Sequence, residues 1–503
     1  MKAASAASQE DPMRPDEINR YLADFARNPA EVMDRVPDKR SSDGQVREEV
    51  LTAFDDDAIM TGDFVAQRDA MRAGLYGEDD AGNPFTVADM AAGKAPIQRR
   101  DEAKDLVDEL RYERPEDVDK AGLTKAALPE TPWSDDYWAV YLGITGCRYG
   151  DYLFPDSDDW RENHAYVERN PADKIAASGD QAAIDALSPS EKYDLLVGDK
   201  RFGLTRAMWA EGKGYVEQSG SVEKWMGICH GWAPAAYMLP RPRRTVTVKT
   251  ATGVLLRFFP ADIRALGSLL WAHASPALRF CGSRSEDKDP KKDENGRVLS
   301  QSAFDNNPGT FYLAMVNQIG VSKRSMVMDA TFDYEVWNQP IYSYEIHYFN
   351  PETMQFAGSA REGTIARGDF RRDRFGKYRS KDFKAVLGVA MRTRYVIEVA
   401  PTHAPTSDPS NDATATVDYY FDVELDGSGR IIGGEWYLNR HPDFLWTPAP
   451  DKRAWTPADD FATGDWDGIS ALPSTWQNAA ARASADGMPL AKVVEKLIAL
   501  ASA

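Results

Sequence analysis

The run Trp225-Met226-Gly227-Ile228-Cys229-His230-Gly231-Trp232-Ala233-Pro234-Ala235-Ala236-Tyr237-Met238-Leu239-Pro240 constrains this chain more than any other stretch. Glycines on both sides of the cysteine let the backbone turn tightly there. Pro234 suits the first turn of a helix, where no amide donor is needed. Pro240 stops that helix at about Leu239. The pattern therefore predicts a short helix with Cys229 at or just before its N-terminus. Unpaired amides and the macrodipole at that end favour a thiolate. The same amides can receive a developing oxyanion. The competing reading of Cys229 is a small buried hydrophobe, a common fate of a free cysteine. Cys147 and Cys281 carry no partner signature; both read as structural, Cys281 where a helix ends.

A nucleophilic cysteine needs a base and an orienter. Both can come from strands later in the chain. Asp329 closes the apolar run Met326-Val327-Met328. A carboxylate there is costly unless it is paired or turned to a site, so Asp329 is the orienter candidate; a strand-end turn is the competing reading. The preceding apolar run, 311–319, reads as a strand and holds no histidine. His230 follows the cysteine directly, so its side chain projects roughly 100° away on a helix. His347 lies in the strand after Asp329, His441 in a turn, and His164, His273 and His403 have no context. Each reads as structural or solvent-facing.

The rest of the chain gives an order of elements. Residues 1–130 are polar, charge-rich and broken by Pro29, Pro37, Pro84, Pro96 and Pro115, which predicts a helical, partly loose extension; Ala103 to Tyr112 suits a solvated amphipathic helix. From Trp133 the texture becomes aromatic, and Ser134 is placed to cap a helix. Residues 245–259 alternate around Thr252-Gly253 and read as a hairpin, and 261–273 has helical spacing. Beyond Pro308 the chain turns strand-rich, with Asp426-Gly427-Ser428-Gly429 as a hairpin turn. Residues 451–503 read as Pro- and Asp-rich turns and a C-terminal helix over 489–501. The fold class is α+β: a nucleophile-bearing helix on an antiparallel sheet (131–450), between the N-terminal extension (1–130) and the C-terminal segment (451–503).

Charge narrows the partners. Asp and Glu number 79 against 60 Lys and Arg, a net −19, which repels phosphate backbones and argues against nucleic acid. The longest apolar stretch, 265–278, is interrupted by His273, whereas a membrane span needs about 18 clean residues. The N-terminus has no apolar signal region, so it reads as the remnant of a removed leader or as a plain cytoplasmic start. The acidic loop holding Asp287, Asp289, Asp293 and Glu294 leaves calcium open as a cofactor, but its spacing does not match an EF-hand loop, and a solvated loop is the expectation.

Several ordered motifs resemble the transglutaminase-elicitor family of oomycetes and bacteria. They are Trp225 to Pro240, Asn307-Pro308-Gly309-Thr310-Phe311, Asn317-Gln318-Ile319-Gly320, and Asp333-Tyr334-Glu335-Val336-Trp337-Asn338-Gln339-Pro340. Trp133 to Trp138, Gly433 to Trp436 and His441 to Trp446 add to them. The resemblance implies a papain-like core and protein-glutamine γ-glutamyltransferase activity on proteins with accessible Gln and Lys, in an extracellular setting. It makes Cys229 the nucleophile and Asp329 the orienter. It places the family's histidine at Tyr312, a weak base at neutral pH. It also likens Val336 to Pro340 to a surface peptide that plants recognise. Trp225 or Trp232 would wall the acyl pocket; core packing is the alternative for both. Two other activities follow from the same residues: a cysteine protease or deamidase on the same core, and an inactive interaction protein recognised through Trp337.

Overall fold

The computed structural model describes residues 12–41, 46–47, 101–273, 278–282, 290–299, 306–331 and 336–503. The principal helices are α1 (Pro15–Arg27), α2 (Pro189–Val197), α3 (Gly203–Ser219), α4 (Cys229–Met238), α5 (Pro260–His273), α6 (Pro308–Ala314), α7 (Ser474–Ala485) and α8 (Ala491–Ser502). The strands needed here are β1 (Lys39–Ser41), β2 (Lys125–Ala127), β3 (Val246–Lys249), β4 (Leu255–Phe258), β5 (Leu278–Gly282), β6 (Val327–Asp329), β7 (Asn338–Asn350), β8 (Ala385–Ile397), β9 (Ala413–Leu425), β10 (Ile431–Trp436) and β11 (Phe444–Pro448).

One large antiparallel sheet runs in the order β1-β9-β8-β7-β6-β11-β5, with β10 on β9 and β2 on β7. Its centre is the hairpin β8–β9, paired residue for residue from Ala385↔Leu425 to Ile397↔Ala413. Val, Tyr and Thr recur in both strands, as suits a pleated surface covered on both faces. Asp426 turns the chain from β9 to β10 by accepting from the amides of Ser428 and Arg430, and Gly429 takes a positive φ there. The hairpin β3–β4 forms as the alternation predicts. The fold is thus mixed α and β with an antiparallel sheet.

Helix α5 is the pillar of the helical layer. Every residue from Pro260 to Trp271 is buried, so it is enclosed all round rather than amphipathic. Helix α4 crosses it at Gly231. A Cβ at Gly231 would overlap the Ser268 carbonyl and Ala272, so only glycine lets the two backbones approach this closely. Under the sheet lies a second apolar cluster, to which α1 contributes Ile18, Leu22 and Phe25. Phe25 stacks on Tyr437 at 4.5 Å, and Tyr21 on Tyr420 at 3.7 Å.

Several sequence expectations are corrected. The described part of 1–130 holds strands as well as helices: α1 is anchored in the core, and β1 and β2 pair with β9 and β7. The breaks at Pro84 and Pro96 lie outside the described residues. The helix expected over 103–112 ends at Leu106; beyond it, the backbone amides of Arg111 and Tyr112 donate to Asn317. Ser134 caps no helix. Its amide donates to Asp412 and its hydroxyl to the Ala413 carbonyl, so it ties 131–139 to β9. Cys281 lies in β5 rather than at a helix end. Residues 308–314 are helical, not extended. Asn307 caps the first turn by accepting from Gly309 N, and Pro308 sits at the first helical position; these start signals outweigh the β-propensity of the apolar run. A π-helical turn, Met315–Val321, continues it. No helix among the described residues is long and apolar enough to cross a membrane.

Candidate active site

Cys229 is the first residue of α4. The helix starts earlier than the position of Pro234 suggests, and Pro234 lies inside it. The turn into the helix is held by Ile228 N donating to the Tyr137 carbonyl at 2.7 Å. A Cβ at Gly227 would strike that same carbonyl, so glycine is required just before the cysteine.

The wall opposite the sulfur comes from the sheet. In the β6–β7 pair, Asp329 stands directly across from Asn338. Opposed residues of an antiparallel pair share a face, so both side chains leave the sheet on one side. Val327 shares that face with Asp329 and is paired with Trp446 of β11. Val327, Val336, Phe444 and Trp446 form a small apolar cluster with Ala233 of α4. Helix and sheet therefore meet here.

Asn338 carries the contact to the sulfur. Its Nδ2 donates to Cys229 Sγ at 3.5 Å, while its Oδ1 accepts from Trp446 Nε1 at 2.8 Å. An indole N–H only donates, so Trp446 fixes the amide with its NH2 toward the sulfur. The thiol itself lies 3.7 Å from the Val336 carbonyl. Asp329 Oδ1 accepts from Trp337 N at 3.0 Å and from the Thr331 hydroxyl at 2.8 Å. The aspartate thus orders the backbone that leads into Asn338, and reaches the sulfur through it. Outside this contact, Trp337 packs against Tyr137 with ring centroids 5.3 Å apart. Half-buried Glu398 accepts from Gln339 Nε2 at 2.6 Å.

The expected preformed thiolate is not what the surroundings favour. Cys229 is 5% exposed, and burial pushes its thiol up to about 11. The backbone and side-chain amides of Asn338 pull it down, and the negative charges of Glu398 and Asp329 push it up again. Each pH unit below that value removes a factor of ten in thiolate, so about one part in ten thousand is ionised at pH 7. Iodoacetamide labelling of Cys229 is therefore expected to accelerate about tenfold per pH unit from 7 to 10; a rate that levels off near pH 8 contradicts this environment. The stability sign follows. The neutral thiol is favoured in the folded chain, so its contribution is present below the unfolded value of about 8.5 and is lost as pH rises through about 11.

Tyr312 is not brought to the sulfur. It belongs to the cluster under the sheet, on α6, with its hydroxyl 3.2 Å from that of Tyr348. Burial raises its phenol further. Among the hydrogen bonds of the described residues, none joins a histidine to Cys229 either. His347 pairs with Glu345, His441 stacks on Trp436, His403 stacks on Phe259, and His164 stacks on Trp160. Trp232 is core: fully buried, with its indole donating to the Trp133 carbonyl at 3.0 Å. Trp225 is buried as well. Val336, Asn338 and Gln339 are buried too, which corrects the expected surface peptide; 333–335 lie outside the described residues. Asp287 and Asp289 also lie outside them. The described part of that loop does not fit calcium: Asp293 accepts from Tyr378 and from the amides of Asn295 and Arg297, and Lys377 bridges Asp293 and Glu294.

The residues missed in the sequence are Asn338 and Trp446. A polar side chain opening a strand as apolar as 340–349 was the available signal for Asn338. Trp446 is one strand removed, and only the sheet order reveals it.

Comparison with known proteins matches these elements. The family model described as transglutaminase elicitor matches residues 117–459, which include α4, β6, β7 and β11. The crystal structure of the GP42 transglutaminase from Phytophthora sojae is similar over 69% of this chain and 94% of that chain, with 22% identity and a TM-score of 0.46. No curated protein gives a match. With well over half of its length matched by that family model, the chain belongs to the transglutaminase elicitor family.

Proposed function

We propose that this protein is a protein-glutamine γ-glutamyltransferase that works through Cys229. The observation that carries the reading is the seat of Cys229: first residue of α4, with a fixed amide donor, Asn338, on its sulfur. Family membership supplies the reaction class. Cys229 Sγ attacks the carboxamide carbon of a substrate glutamine, the C–N bond breaks, and ammonia leaves with the thiol proton. A lysine amine then attacks the thioester, forms the isopeptide bond and returns a proton to the thiol. Amides at the start of α4 donate hydrogen bonds to the oxyanion. Asn338 positions the sulfur, and Asp329 positions Asn338. Protein partners with accessible Gln and Lys, and an extracellular setting, belong to the same proposal.

The missing imidazole favours a second reading, a silent member that keeps the fold without turnover. Incubation with a glutamine-donor peptide and a labelled amine, from pH 7 to 10, separates the readings. The transferase reading expects amine incorporation that climbs with pH as the thiol ionises. Ammonia release without incorporation indicates a deamidase, peptide cleavage a protease, and no product at any pH the silent member.

A further inference from the structure

The approach to Cys229 is gripped by a second segment, 135–140, that the acyl-transfer steps do not use. Tyr137 reaches it twice: its hydroxyl donates to the Lys224 carbonyl at 2.8 Å, and its carbonyl accepts from Ile228 N at 2.7 Å. Val140 N donates to the Met226 carbonyl at 2.9 Å. Residues 224, 226 and 228 are thus all held, up to the residue before the cysteine. The Tyr137 ring also packs on Trp337, which leads into Asn338. One segment therefore touches both walls of the site, helix start and sheet.

That segment is held in an unfavourable conformation. Trp138 is buried and has a φ of +52°, a left-handed backbone that strains a bulky residue. Two carboxylates fix it. Asp136 accepts from Trp138 N at 3.0 Å, and Asp135 Oδ2 accepts from Trp138 Nε1 at 2.9 Å. The same Asp135 oxygen accepts from the Ser268 hydroxyl of α5 at 3.0 Å, and Oδ1 lies 3.5 Å from Arg264 Nε. Asp135 is fully buried. Burial pushes its carboxyl up to about 6, while Arg264, Trp138 and Ser268 pull it down. Burying a carboxylate is unfavourable, and backbone strain persists only where the surroundings over-determine it. Both burdens fall on the segment that holds Cys229.

We infer that 135–140 is a strap that fixes the position of Cys229, and that Asp135 is its positioning residue, acting through Trp138 and Tyr137. The inference rests on Cys229 as the proposed nucleophile, but the strap acts on the sulfur whether or not turnover occurs. With Trp138 released, the turn 226–228 loses its clamp, Cys229 opens to solvent, and the sulfur leaves the geometry set by Asn338.

The test is iodoacetamide labelling of the full chain at pH 9, where the Asp135 carboxyl is ionised, and well below the Tm of each variant. Mass analysis of the digest follows each cysteine separately. Asp135→Ala should label at Cys229 at least about tenfold faster than wild type, because local opening is easier once a hydrogen bond to a charged group is gone. Trp138→Phe removes only the indole donor and should accelerate Cys229 to a smaller extent; it decides the matter if Asp135→Ala does not fold. Asp135→Asn keeps an acceptor for both bonds and should label like wild type. Cys281 is buried in the other apolar cluster and should stay slow throughout, since a loss of overall stability would expose it together with Cys229. Absence of a thioester in wild type counts against the transferase reading and leaves this result standing. Equal acceleration at Cys281, unchanged Cys229 labelling in either accelerating variant, or Asp135→Asn as fast as Asp135→Ala overturns the strap.

Discussion

Replacing Cys229 by alanine should reduce amine incorporation to background while leaving the protein folded. The side chain is small and buried, and its polar contacts are weak ones to sulfur, at 3.5 and 3.7 Å. Truncation removes little packing and leaves the Asn338 amide still held by Trp446. The expected loss of stability is about 1 kcal/mol, whereas the loss of activity is complete, because the proposed thioester forms on this sulfur. Cys147→Ala and Cys281→Ala serve as controls. Both thiols are buried, and burial raises both. Cys281 donates to the Glu102 carbonyl and belongs to the apolar cluster under the sheet, apart from the one that holds Cys229. Incorporation should persist in each. Incorporation that survives Cys229→Ala removes the basis of the account.

The largest stability effect is expected at Asp262. It lies in the first turn of α5, fully buried, with its carboxylate 2.7 Å from the equally buried Lys192 ammonium. It also accepts from Phe259 N and from the Tyr149 hydroxyl, both at 2.8 Å. The ammonium rests near the Phe259 ring, 5.0 Å from its centroid, where little water can replace the lost partner. Asp262→Ala therefore strands a buried charge and two donors at once. Breaking one side of such a pair costs about 3–5 kcal/mol. Lys192→Met combined with Asp262→Leu should recover most of that loss, since replacing both partners by apolar groups is often neutral. Urea denaturation of the two variants tests this. A double variant as unstable as Asp262→Ala would contradict the ion-pair explanation and assign the effect to the cap on Phe259.

The helix that begins at Cys229 was legible because its boundaries are written in glycine and proline. Gly227 answers to the Tyr137 carbonyl and Gly231 to α5. Cys229 stands at the helix start as its sequence suggests; Pro234 falls past the first turn, tolerated inside a helix that tertiary packing holds. The strands from 338 onward were legible from their β-branched and aromatic content, and the turn at Asp426 from its own chemistry. What failed was local ambiguity. The run 311–319 is apolar enough for strand or helix, and Asn307-Pro308-Gly309 decided for helix. The acidity of the N-terminal segment hid the stripe Ile18, Leu22, Phe25 that anchors it. The state of the sulfur could not be read from sequence, because burial and the charges of Glu398 and Asp329 set it, and both depend on distant strands. Asn338 and Trp446 meet only through the order β7-β6-β11.

The most direct measurement is mass analysis of the acyl intermediate. The protein is incubated with a glutamine-donor peptide at pH 9, without amine, quenched in acid and digested. A thioester should appear as the donor acyl mass on the peptide that contains Cys229. An unmodified Cys229 peptide, or the acyl group on any other residue, would contradict the assignment of this cysteine as the nucleophile.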